Sequence, residues 1–485
     1  MLSEYFSNAT CSPFRGPTSS NPRDRNATCT LGGISSYAIN IADASMIAEG
    51  INFARENNIR LVIKNTGHDL LGRSTGAGAL ALWTHNLKET SFFEFSSDAY
   101  TGPAARIGAG VQVQELYEAA TAAGFRATAG GCATVGAAGG WVQSAGHGPL
   151  AAKYGLGSDQ TLEFDVVTTD GQRVTASRTE NPDLFWALSG GGPGNYGVVV
   201  SVTMKIFPDG PVAGSRLVFL ESDKEKYWAA VEAWQRQLTV LDNLPGMQTT
   251  TLLSASVFSL NYATLPDATA EDMTAALAPF YDELVALNIT VATNETVVSP
   301  SFAEHYRYFE AGATYSRNVT VGDRIIPRSL VTDSQSQSQL NKIAREIVDE
   351  TPNGFAYMIA QNVTHARSGN APGDNAVLPS WRDSLFIFNF GILSSPSATF
   401  DDLATDLATI NDWQLALRDI TPGGGSYMNE ATYNFPYWKE DYYGETYDRL
   451  VEVKNRFDPG HVLWSQPAAG SEAYVQNPDG RLCKA

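Results

Sequence analysis

Apolar residues in the first part of the chain recur with helical and strand periods in turn. A helix that Asp43 or Ser45 can cap carries apolar residues on one face and ends near Asn57, where an apolar strand at 61–63 follows. A second helix over 112–124 ends at a glycine, which favours a helix stop. This part of the chain is therefore predicted to alternate helices with short strands.

Turn residues divide the next segment into a hairpin, a helix and a strand. Two strand-like runs between 161 and 177 flank Asp170 and Gly171, a pair that favours a tight turn. Asn181 and Pro182 have the cap and first-turn preferences of a helix start. A glycine-rich run at 190–197 then precedes an apolar strand at 198–206.

Beyond about residue 208 the glycines thin out and longer periodic segments begin. Helical spacing is found at 222–241, 269–287 and 334–348, and strand-like runs lie at 249–262, 355–363 and 385–393. Strands separated by helices in this way predict an antiparallel sheet with one face covered by helices. Trp228 and Trp234 lie at helical spacing, which favours a buried core position over a ligand pocket.

The loop after the 61–63 strand is a candidate binding site. Asn65, Thr66 and Gly67 favour a tight turn whose backbone N–H groups can converge on an anion such as a phosphate or pyrophosphate. His68 follows at once and could be a ligand, a base or a nucleophile. The alternative is a hydrogen-bonded loop histidine without reactivity.

A second stretch, from Ala129, is unusually rich in glycine. Glycine occupies positions 130, 131, 136, 139, 140, 146, 148 and 155. So many glycines cost backbone entropy, and the usual compensation is a backbone that lies flat against a large partner.

Together the two stretches resemble the PCMH-type FAD-binding domain of the vanillyl-alcohol oxidase superfamily, in its berberine-bridge-enzyme-like branch. The resemblance rests on Gly-His-Asp at 67–69, on Ala-Gly-Gly-Cys-Ala-Thr-Val-Gly at 129–136 and on Tyr-Met-Asn at 427–429. It implies an FAD joined covalently through His68 to the flavin 8α-methyl and through Cys132 to flavin C6. The other cofactor-binding residues that it implies are Lys64, Asn65, Thr66, Gly67, Asp69, Ser74, Thr134, Val135, Gly136, Gly139, Gly140, His147, Gly148, Leu150, Gly197, Val199, Tyr427 and Asn429.

The chain departs from the pattern of that branch in three places. Ala133 stands where proline is usual, the 143–148 segment reads Gln-Ser-Ala-Gly-His-Gly instead of Ser-Gly-Gly-Gly-Tyr-Gly, and Glu430 stands where many relatives have a second tyrosine. These changes affect the expected substrate side more than the flavin attachment.

The resemblance also implies the domain organisation. We expect an α+β fold in which a two-subdomain PCMH-type FAD-binding domain at 33–208 precedes a substrate-binding domain at 209–422, built on an antiparallel sheet covered by helices. Residues 1–32 form an arm, and 423–485 return to the FAD-binding domain. No metal site is expected, since the six histidines show no ligand spacing, and no P-loop or Rossmann glycine pattern occurs.

Tyr427 is the candidate catalytic base of the reaction that the resemblance implies. This role requires a phenol pKa lowered from about 10 toward the working pH by positive charge or hydrogen bonds. The alternative is a buried tyrosine whose hydroxyl is bound to the backbone. His147 could supply polarity beside the flavin ring or bind the pyrophosphate, and both roles stay open.

Oxygen is the expected electron acceptor. In the resembled branch the residue three after the flavin cysteine gates oxygen, and here it is Val135, which leaves room where a longer side chain would block. We therefore expect an oxidase that forms hydrogen peroxide from a bulky alcohol, either an oligosaccharide or a secondary metabolite, and acts as a monomer. A flavin dehydrogenase with another acceptor and a flavin-binding glycoprotein with little turnover are the alternatives.

Composition and charge point to the extracellular medium. The net charge of −19 argues against nucleic acid and anionic membrane surfaces as partners, and no apolar run reaches the roughly 18 residues of a membrane helix. Sequons occur at Asn8, Asn26, Asn288, Asn294, Asn318 and Asn362, which fits a secreted glycoprotein. A disulfide between Cys11 and Cys29 would tie the arm, and Cys483 would stay unpaired. The first residues have no leader character, so a signal peptide is expected to have been removed or to lie outside this sequence.

Overall fold

A computed structural model describes residues 31–310, 319–395, 398–477 and 481–485. The first strands form a three-stranded parallel sheet in the order β1 (Tyr37–Asn40), β3 (Leu80–Trp83), β2 (Leu61–Lys64). The predicted first helix runs over Ala44–Glu56. Asp43, not Ser45, caps it, because its side chain accepts hydrogen bonds from the backbone N–H groups of Ser45 and Met46. This helix packs its buried face on the small sheet.

A second sheet has six strands, all paired antiparallel. Its order is β4-β5-β9-β7-β8, with β6 paired to β9. The strands are β4 (Thr90–Ser96), β5 (Thr101–Gly108), β6 (Phe125–Ala127), β7 (Thr161–Val167), β8 (Arg173–Ser177) and β9 (Val198–Pro208). The helices between them are Val113–Ala122, Ala151–Tyr154, Gly157–Gln160 and Pro182–Leu188. The predicted hairpin is confirmed as β7 and β8.

The start of one helix differs from the prediction. Pro182 is the first residue of its helix, but the Asn181 side chain makes no cap hydrogen bond. Asn181 instead has a φ of 46°, and its Nδ2 donates to the Thr175 carbonyl at 2.7 Å. The asparagine therefore ties the helix to the hairpin.

The third sheet has seven antiparallel strands in the order β13-β10-β12-β11-β15-β16-β14. They are β10 (Val212–Leu220), β11 (Gln248–Ser254), β12 (Val257–Pro266), β13 (Val291–Ser299), β14 (Val319–Pro327), β15 (Gly354–Gln361) and β16 (Ser384–Leu393). The run at 249–262, expected as one strand, is a hairpin, because Ser254 accepts a turn hydrogen bond from the Val257 N–H. Sequence reasoning missed the strands β10, β13 and β14, in which polar residues interrupt the pattern of apolar positions.

Helices cover one face of this sheet, as predicted. They are Lys224–Leu241, Ala270–Ala286, Ser334–Arg345 and Phe400–Ile420, with the shorter helix Arg328–Thr332. The short helix Phe302–Phe309 packs instead in the core of the first half of the chain, and His365–Ser368 is a separate short helix. Trp228 and Trp234 are fully buried in the core between helices and sheet, as expected. Along β16, Phe388 faces that core, whereas the neighbours on either side, Ile387 and Asn389, face the opposite way. The mixed α+β fold with an antiparallel, helix-covered sheet is confirmed.

The C-terminal segment packs back on the first half of the chain. It holds the helices Trp438–Tyr442 and Tyr447–Phe457 and the hairpin β17 (Tyr474–Gln476) with β18 (Leu482–Lys484). Leu463 pairs with Leu61, and the buried Lys454 donates to the carbonyls of Asn195 and Leu463. Across the described ranges, no helix combines the length and apolarity that a bilayer crossing requires.

Candidate active site

A large cleft opens where the small parallel sheet, the glycine-rich stretch and the C-terminal segment meet. Its empty volume is about 1440 Å³, including the part open to solvent. Most of the residues that line it come from five segments, at 61–74, 130–147, 193–199, 427–430 and 463–465, and Thr84 and Ala109 complete the lining.

The first of these segments is the loop that follows β2. Gly67 has a φ of 83°, which a residue with a side chain rarely adopts. Asn65 Nδ2 donates to the Ala109 carbonyl at 2.5 Å, and Asp69 accepts hydrogen bonds from the backbone of Leu71 and Ser74. The loop is therefore fixed from both ends, and it holds His68 at the wall of the cleft.

His68 and Cys132 reach the same hydroxyl group. Thr134 Oγ1 lies 2.6 Å from His68 Nε2 and 4.0 Å from Cys132 Sγ. Burial lowers the pKa of His68 from 6.5 to about 4, so the imidazole is neutral near neutral pH and keeps a nucleophilic nitrogen. The two residues that sequence reasoning paired as flavin attachment points therefore lie together at one end of the cleft.

Close packing explains several of the glycines. A Cβ on Gly136 would lie 2.2 Å from Asn65 Oδ1, and a Cβ on Gly148 would lie 1.9 Å from the Ala129 carbonyl oxygen. Gly148 thus serves packing between two backbone segments, not a flat contact with a large partner. Gly140, in contrast, lines the cleft with only Pro193 near it.

The departure from the family pattern at 143–148 carries backbone strain. Ala145 has a φ of 91°, a left-handed value that favours glycine, and glycine is the residue usual at this position. Gly146 and His147 follow, and the His147 carbonyl accepts a hydrogen bond from the Trp141 indole at 2.8 Å. The strained turn thereby brings His147 to the cleft.

Tyr427 also lines the cleft, and its hydroxyl lies among polar side chains. Its hydroxyl accepts a hydrogen bond from Asn429 Nδ2 at 2.8 Å, and Arg73 in turn donates to Asn429 Oδ1 at 2.7 Å. The His147 ring packs edge-on against the Tyr427 ring, with centroids 5.0 Å apart. Two roles were left open for His147, a source of polarity beside the flavin ring or a ligand of the pyrophosphate. Its contact with Tyr427 favours the first.

The expected lowering of the Tyr427 pKa is wrong. Burial, followed by the negative charge of Glu430, raises the pKa of this phenol far above its usual value of 10. The Asn429 hydrogen bond and the Arg73 charge act in the opposite direction but are too weak to offset burial. The direction of this shift favours the protonated phenol, a hydrogen-bond donor, over the phenolate that a base would require.

The structure brings most of the predicted cofactor residues to the cleft. Those that line it are Asn65, Thr66, Gly67, His68, Asp69, Ser74, Cys132, Val135, Gly136, Gly139, Gly140, His147, Gly197, Val199, Tyr427 and Asn429. Thr134 contacts His68 from beside the cleft. Lys64, Gly148 and Leu150 are placed elsewhere: Lys64 pairs with Trp83 within the sheet, and Leu150 is fully buried in the core.

Sequence reasoning missed other lining residues. Arg73, Gln143, Pro193 and the 463–465 segment also line the cleft. Arg73 carried a usable signal, because it lies four residues after Asp69 in the fixed loop and the two side chains form an ion pair. The 463–465 segment carried none, since it reaches the cleft only through its pairing with β2.

The lining fits a large polar cofactor. Within the described residues, Asn65 Oδ1, Gln143 Oε1, His147 Nδ1 and Ser465 Oγ are buried without a hydrogen-bond partner. Buried polar atoms are nearly always paired in folded proteins, so such a set along one cleft indicates a ligand that completes them. By contrast, no cluster of His, Cys, Asp or Glu suited to a metal ion occurs in the part of the chain that the structure describes.

Comparisons with known proteins support an FAD-binding site in this chain. A family profile described as "FAD binding domain" matches residues 36–177, and one described as "Berberine and berberine like" matches 426–468. The VAO-type flavoprotein oxidase VAO615 of Thermothelomyces thermophilus is 37% identical, over 100% of this chain and 83% of its own. The FAD-linked oxidoreductase patO of Penicillium expansum is also 37% identical, with the same coverage.

Solved structures show the same fold. The crystal structure of the VAO-type flavoprotein MtVAO615 from Myceliophthora thermophila C1 has a TM-score of 0.93 and 36% identity, over 100% of this chain and 87% of that one. A chitooligosaccharide oxidase, with a TM-score of 0.72 and 19% identity over 88% of this chain and 91% of that one, shares the fold alone. The chain belongs to the berberine-bridge-enzyme-like branch of the vanillyl-alcohol oxidase superfamily and is an FAD-linked oxidoreductase.

Proposed function

We propose that the chain is a secreted oxidase that carries FAD attached at two points, His68 to the flavin 8α position and Cys132 to C6, and that oxidises a bulky alcohol. The observation that carries the double attachment is the shared contact of His68 and Cys132 with Thr134 Oγ1, at 2.6 and 4.0 Å. Two side chains within reach of one hydroxyl can bind two positions on the same edge of one ring. Burial of His68 supports the proposal, because only a neutral imidazole offers a lone pair for a covalent bond.

The other cleft residues have roles in holding the cofactor and the substrate. Bound there, FAD supplies a two-electron acceptor that oxygen can reoxidise to give hydrogen peroxide. Asn65, Gln143 and Ser465 offer the buried polar atoms that a cofactor would satisfy. The protonated Tyr427 hydroxyl, oriented by Asn429, can donate a hydrogen bond to an alcohol oxygen and hold it for reaction.

The open cleft favours a bulky substrate. Part of the cleft is open to solvent, so an oligosaccharide or a bulky secondary metabolite can enter it while part of the molecule stays outside. Both classes include alcohols. Val135 lines the cleft close to Cys132, and its short side chain leaves space for oxygen. We therefore propose oxygen as the acceptor, with action as a monomer.

The attachment is tested by acid precipitation of the purified protein. In the wild type, yellow colour is expected to stay with the pellet, and proteolytic peptides containing residue 68 or 132 should carry the flavin mass. His68→Ala and Cys132→Ser should each leave one bond, and the double variant none. Cys483→Ser is the matched control, because Cys483 is an exposed free thiol far along the chain. Flavin released from the wild type by acid would contradict the proposal.

The substrate class and the electron acceptor are tested together, with cellobiose, chitobiose, benzyl alcohol and vanillyl alcohol as a panel of candidate substrates. Peroxide formed in proportion to oxygen consumed supports an oxidase, whereas reduction of an artificial dye without peroxide supports the dehydrogenase alternative. Val135→Leu should lower the rate of flavin reoxidation by oxygen by about tenfold or more, a factor that corresponds to about 1.4 kcal/mol of barrier. An unchanged rate in this variant would remove the argument from Val135.

Secretion is supported by the sequons, of which three lie among the described residues. Asn288 and Asn294 are exposed. Asn362 is half-buried, and its Nδ2 donates to the carbonyl and side chain of Asp242 at 3.0 and 3.2 Å. Glycosylation would replace one of the two Nδ2 hydrogens and so remove at least one of these donations. Asn8, Asn26 and Asn318, together with the predicted Cys11–Cys29 disulfide, lie outside the described residues. Protein collected from a eukaryotic culture medium should lose mass on deglycosylation, and Asn288→Gln and Asn294→Gln should each remove part of that mass.

A further inference from the structure

His147 and Glu430 form a polar pair inside the cleft. His147 Nε2 lies 3.2 Å from Glu430 Oε1, and the two side chains are 13% and 17% exposed. Glu430 Oε2 accepts a second hydrogen bond, from Asn389 Nδ2 at 3.2 Å. Both residues are among the departures from the pattern of the branch that the sequence shows.

The surroundings of the pair fix its geometry. The His147 ring packs against Tyr427 and Trp381, with centroids 5.0 and 5.9 Å away. Glu430 follows Tyr427 within one turn, because the Glu430 N–H donates to the Tyr427 carbonyl. A carboxylate accepts hydrogen bonds, so His147 Nε2 carries the hydrogen of the contact with Glu430. Two donors therefore hold the carboxylate in one position at the cleft.

The other titratable groups around the pair leave Glu430 as the candidate for a base. Burial raises the pKa values of both Tyr427 and Asp323 far above their usual ranges, which favours the protonated form of each and disfavours it as a base. Asp323 Oδ2 also accepts the Tyr427 N–H at 2.7 Å, which ties it to the backbone. Arg73 is a cation, already engaged with Asp69 and Asn429.

We propose that Glu430 takes the proton of the substrate hydroxyl and that His147 positions it, in place of Tyr427 as the base. The hydroxyl O–H bond breaks toward the Glu430 carboxylate. The hydrogen of the adjacent C–H bond leaves with its electron pair to the FAD of the proposed function, and the alcohol becomes a carbonyl compound. Tyr427 keeps its own proton and donates a hydrogen bond to the alcohol oxygen, which orients the substrate. This inference rests on the proposed alcohol oxidation.

Sulfite tests the placement of charge without a known substrate, because this anion adds to oxidised flavins and bleaches their visible absorbance. Removing a negative charge beside the ring in Glu430→Gln should tighten sulfite binding by about tenfold, since charge interactions over several ångströms are strong in a partly dry cleft. Tyr427→Phe removes no charge and should change sulfite affinity by less than about threefold. Glu452→Gln, an exposed carboxylate on a C-terminal helix, is the matched control.

Anaerobic reduction by the best alcohol of the panel tests the proton transfer itself. Glu430→Gln should slow flavin reduction by about 100-fold or more, and Tyr427→Phe by a smaller factor of about tenfold. His147→Gln should slow reduction in the wild type but add nothing in the Glu430→Gln background, since a positioning residue acts only through its partner. A melting curve of each variant establishes that it is folded, and its visible spectrum establishes that it carries FAD.

The outcomes separate this inference from the proposed function. If Tyr427→Phe tightens sulfite binding and slows reduction more than Glu430→Gln does, Tyr427 is the base and the inference is overturned. Sulfite affinity within about twofold of wild type in Glu430→Gln also overturns it. If no alcohol of the panel reduces the flavin, the proposed substrate class fails, while the sulfite titration still decides where the negative charge lies.

Discussion

Thr134 Oγ1 lies 2.6 Å from His68 Nε2, so a small hydroxyl side chain holds the imidazole that is proposed to carry the flavin. The same oxygen lies 4.0 Å from Cys132 Sγ. Thr134 is therefore placed to orient both attachment residues before a cofactor arrives. The sequence motif contains this threonine, but a motif by itself does not say which neighbour its hydroxyl contacts.

Thr134→Val keeps the shape of the side chain and removes its hydroxyl. We expect flavin incorporation into freshly expressed protein to slow by about tenfold or more, because misorientation of a reacting group typically costs that much or more. The measurement is the fraction of flavin that stays with acid-precipitated protein at successive times after induction. Thr134→Ser retains the hydroxyl and should behave like the wild type. Equal incorporation in the valine and serine variants would show that the contact has no role in attachment.

Ala145 is expected to lower the stability of the protein. Its φ of 91° is unfavourable for any residue with a Cβ, so Ala145→Gly should raise the free energy of unfolding by about 1 kcal/mol. The matched control is Ala408→Gly, on the exposed face of the helix Phe400–Ile420, where the same change should destabilise by about 1 kcal/mol. Urea unfolding of both variants checks the opposite signs. A loss of stability in Ala145→Gly would mean that the strain is absent or that the buried methyl group matters more.

The sequence predicted those parts of the fold that depend on local signals. Asp43 caps its helix, and Gly124 follows the second helix with a φ of 84°. The loop that contains Gly67 and the glycine-rich stretch from Ala129 both line the cleft. It did not predict β13, an edge strand in which polar residues face solvent and interrupt the period-two pattern. A strand of this kind is specified by its neighbour in the sheet, not by its own sequence.

The same distinction holds for the site. Residues inside continuous motifs, such as His68 and Cys132, could be paired by resemblance. The protonation state of Tyr427 could not, because its pKa depends on burial by segments far apart in the chain. The pairing of His147 with Glu430, separated by 283 positions, likewise appears only in three dimensions.

A buried ion pair joins the first half of the chain to the seven-stranded-sheet region. The Asp159 side chain is fully buried and accepts hydrogen bonds from Arg382 at 2.8 and 2.9 Å, and from Asn370 and Asn375. Removing one member leaves a buried, unpaired charge, so Asp159→Asn should destabilise by about 3 to 5 kcal/mol. The matched control is Asp165→Asn, whose partner Arg173 is 62% exposed, and its expected cost is below about 1 kcal/mol.

Chemical unfolding followed by tryptophan fluorescence measures this difference. If the two halves unfold separately, Asp159→Asn should shift the transition in which they come apart, and Asp165→Asn should leave it in place. Similar losses in both variants would mean that the buried pair contributes no more than a surface pair.

His305 should make stability depend on pH. Burial lowers its pKa from 6.5 to about 3, although Nε2 is hydrogen-bonded to Thr264 Oγ1 at 2.9 Å. Below pH 6.5 the unfolded chain therefore binds a proton at this histidine that the folded chain does not bind. The free energy of unfolding has its full value above that pH and falls as the pH drops toward 3. Between pH 6.5 and 4.5 the loss from this one histidine should amount to about 2 to 3 kcal/mol.

His305→Gln keeps a hydrogen-bonding side chain without the titration. Its free energy of unfolding, taken from urea curves between pH 4.5 and 7.5, should fall less steeply with acid than that of the wild type. Since carboxylates titrate equally in both proteins, the difference between the two slopes isolates the histidine. His365→Gln, a half-buried histidine hydrogen-bonded to Asn370, controls for the loss of an imidazole as such. Parallel slopes for the wild type and His305→Gln would show that His305 accepts its proton in the folded protein.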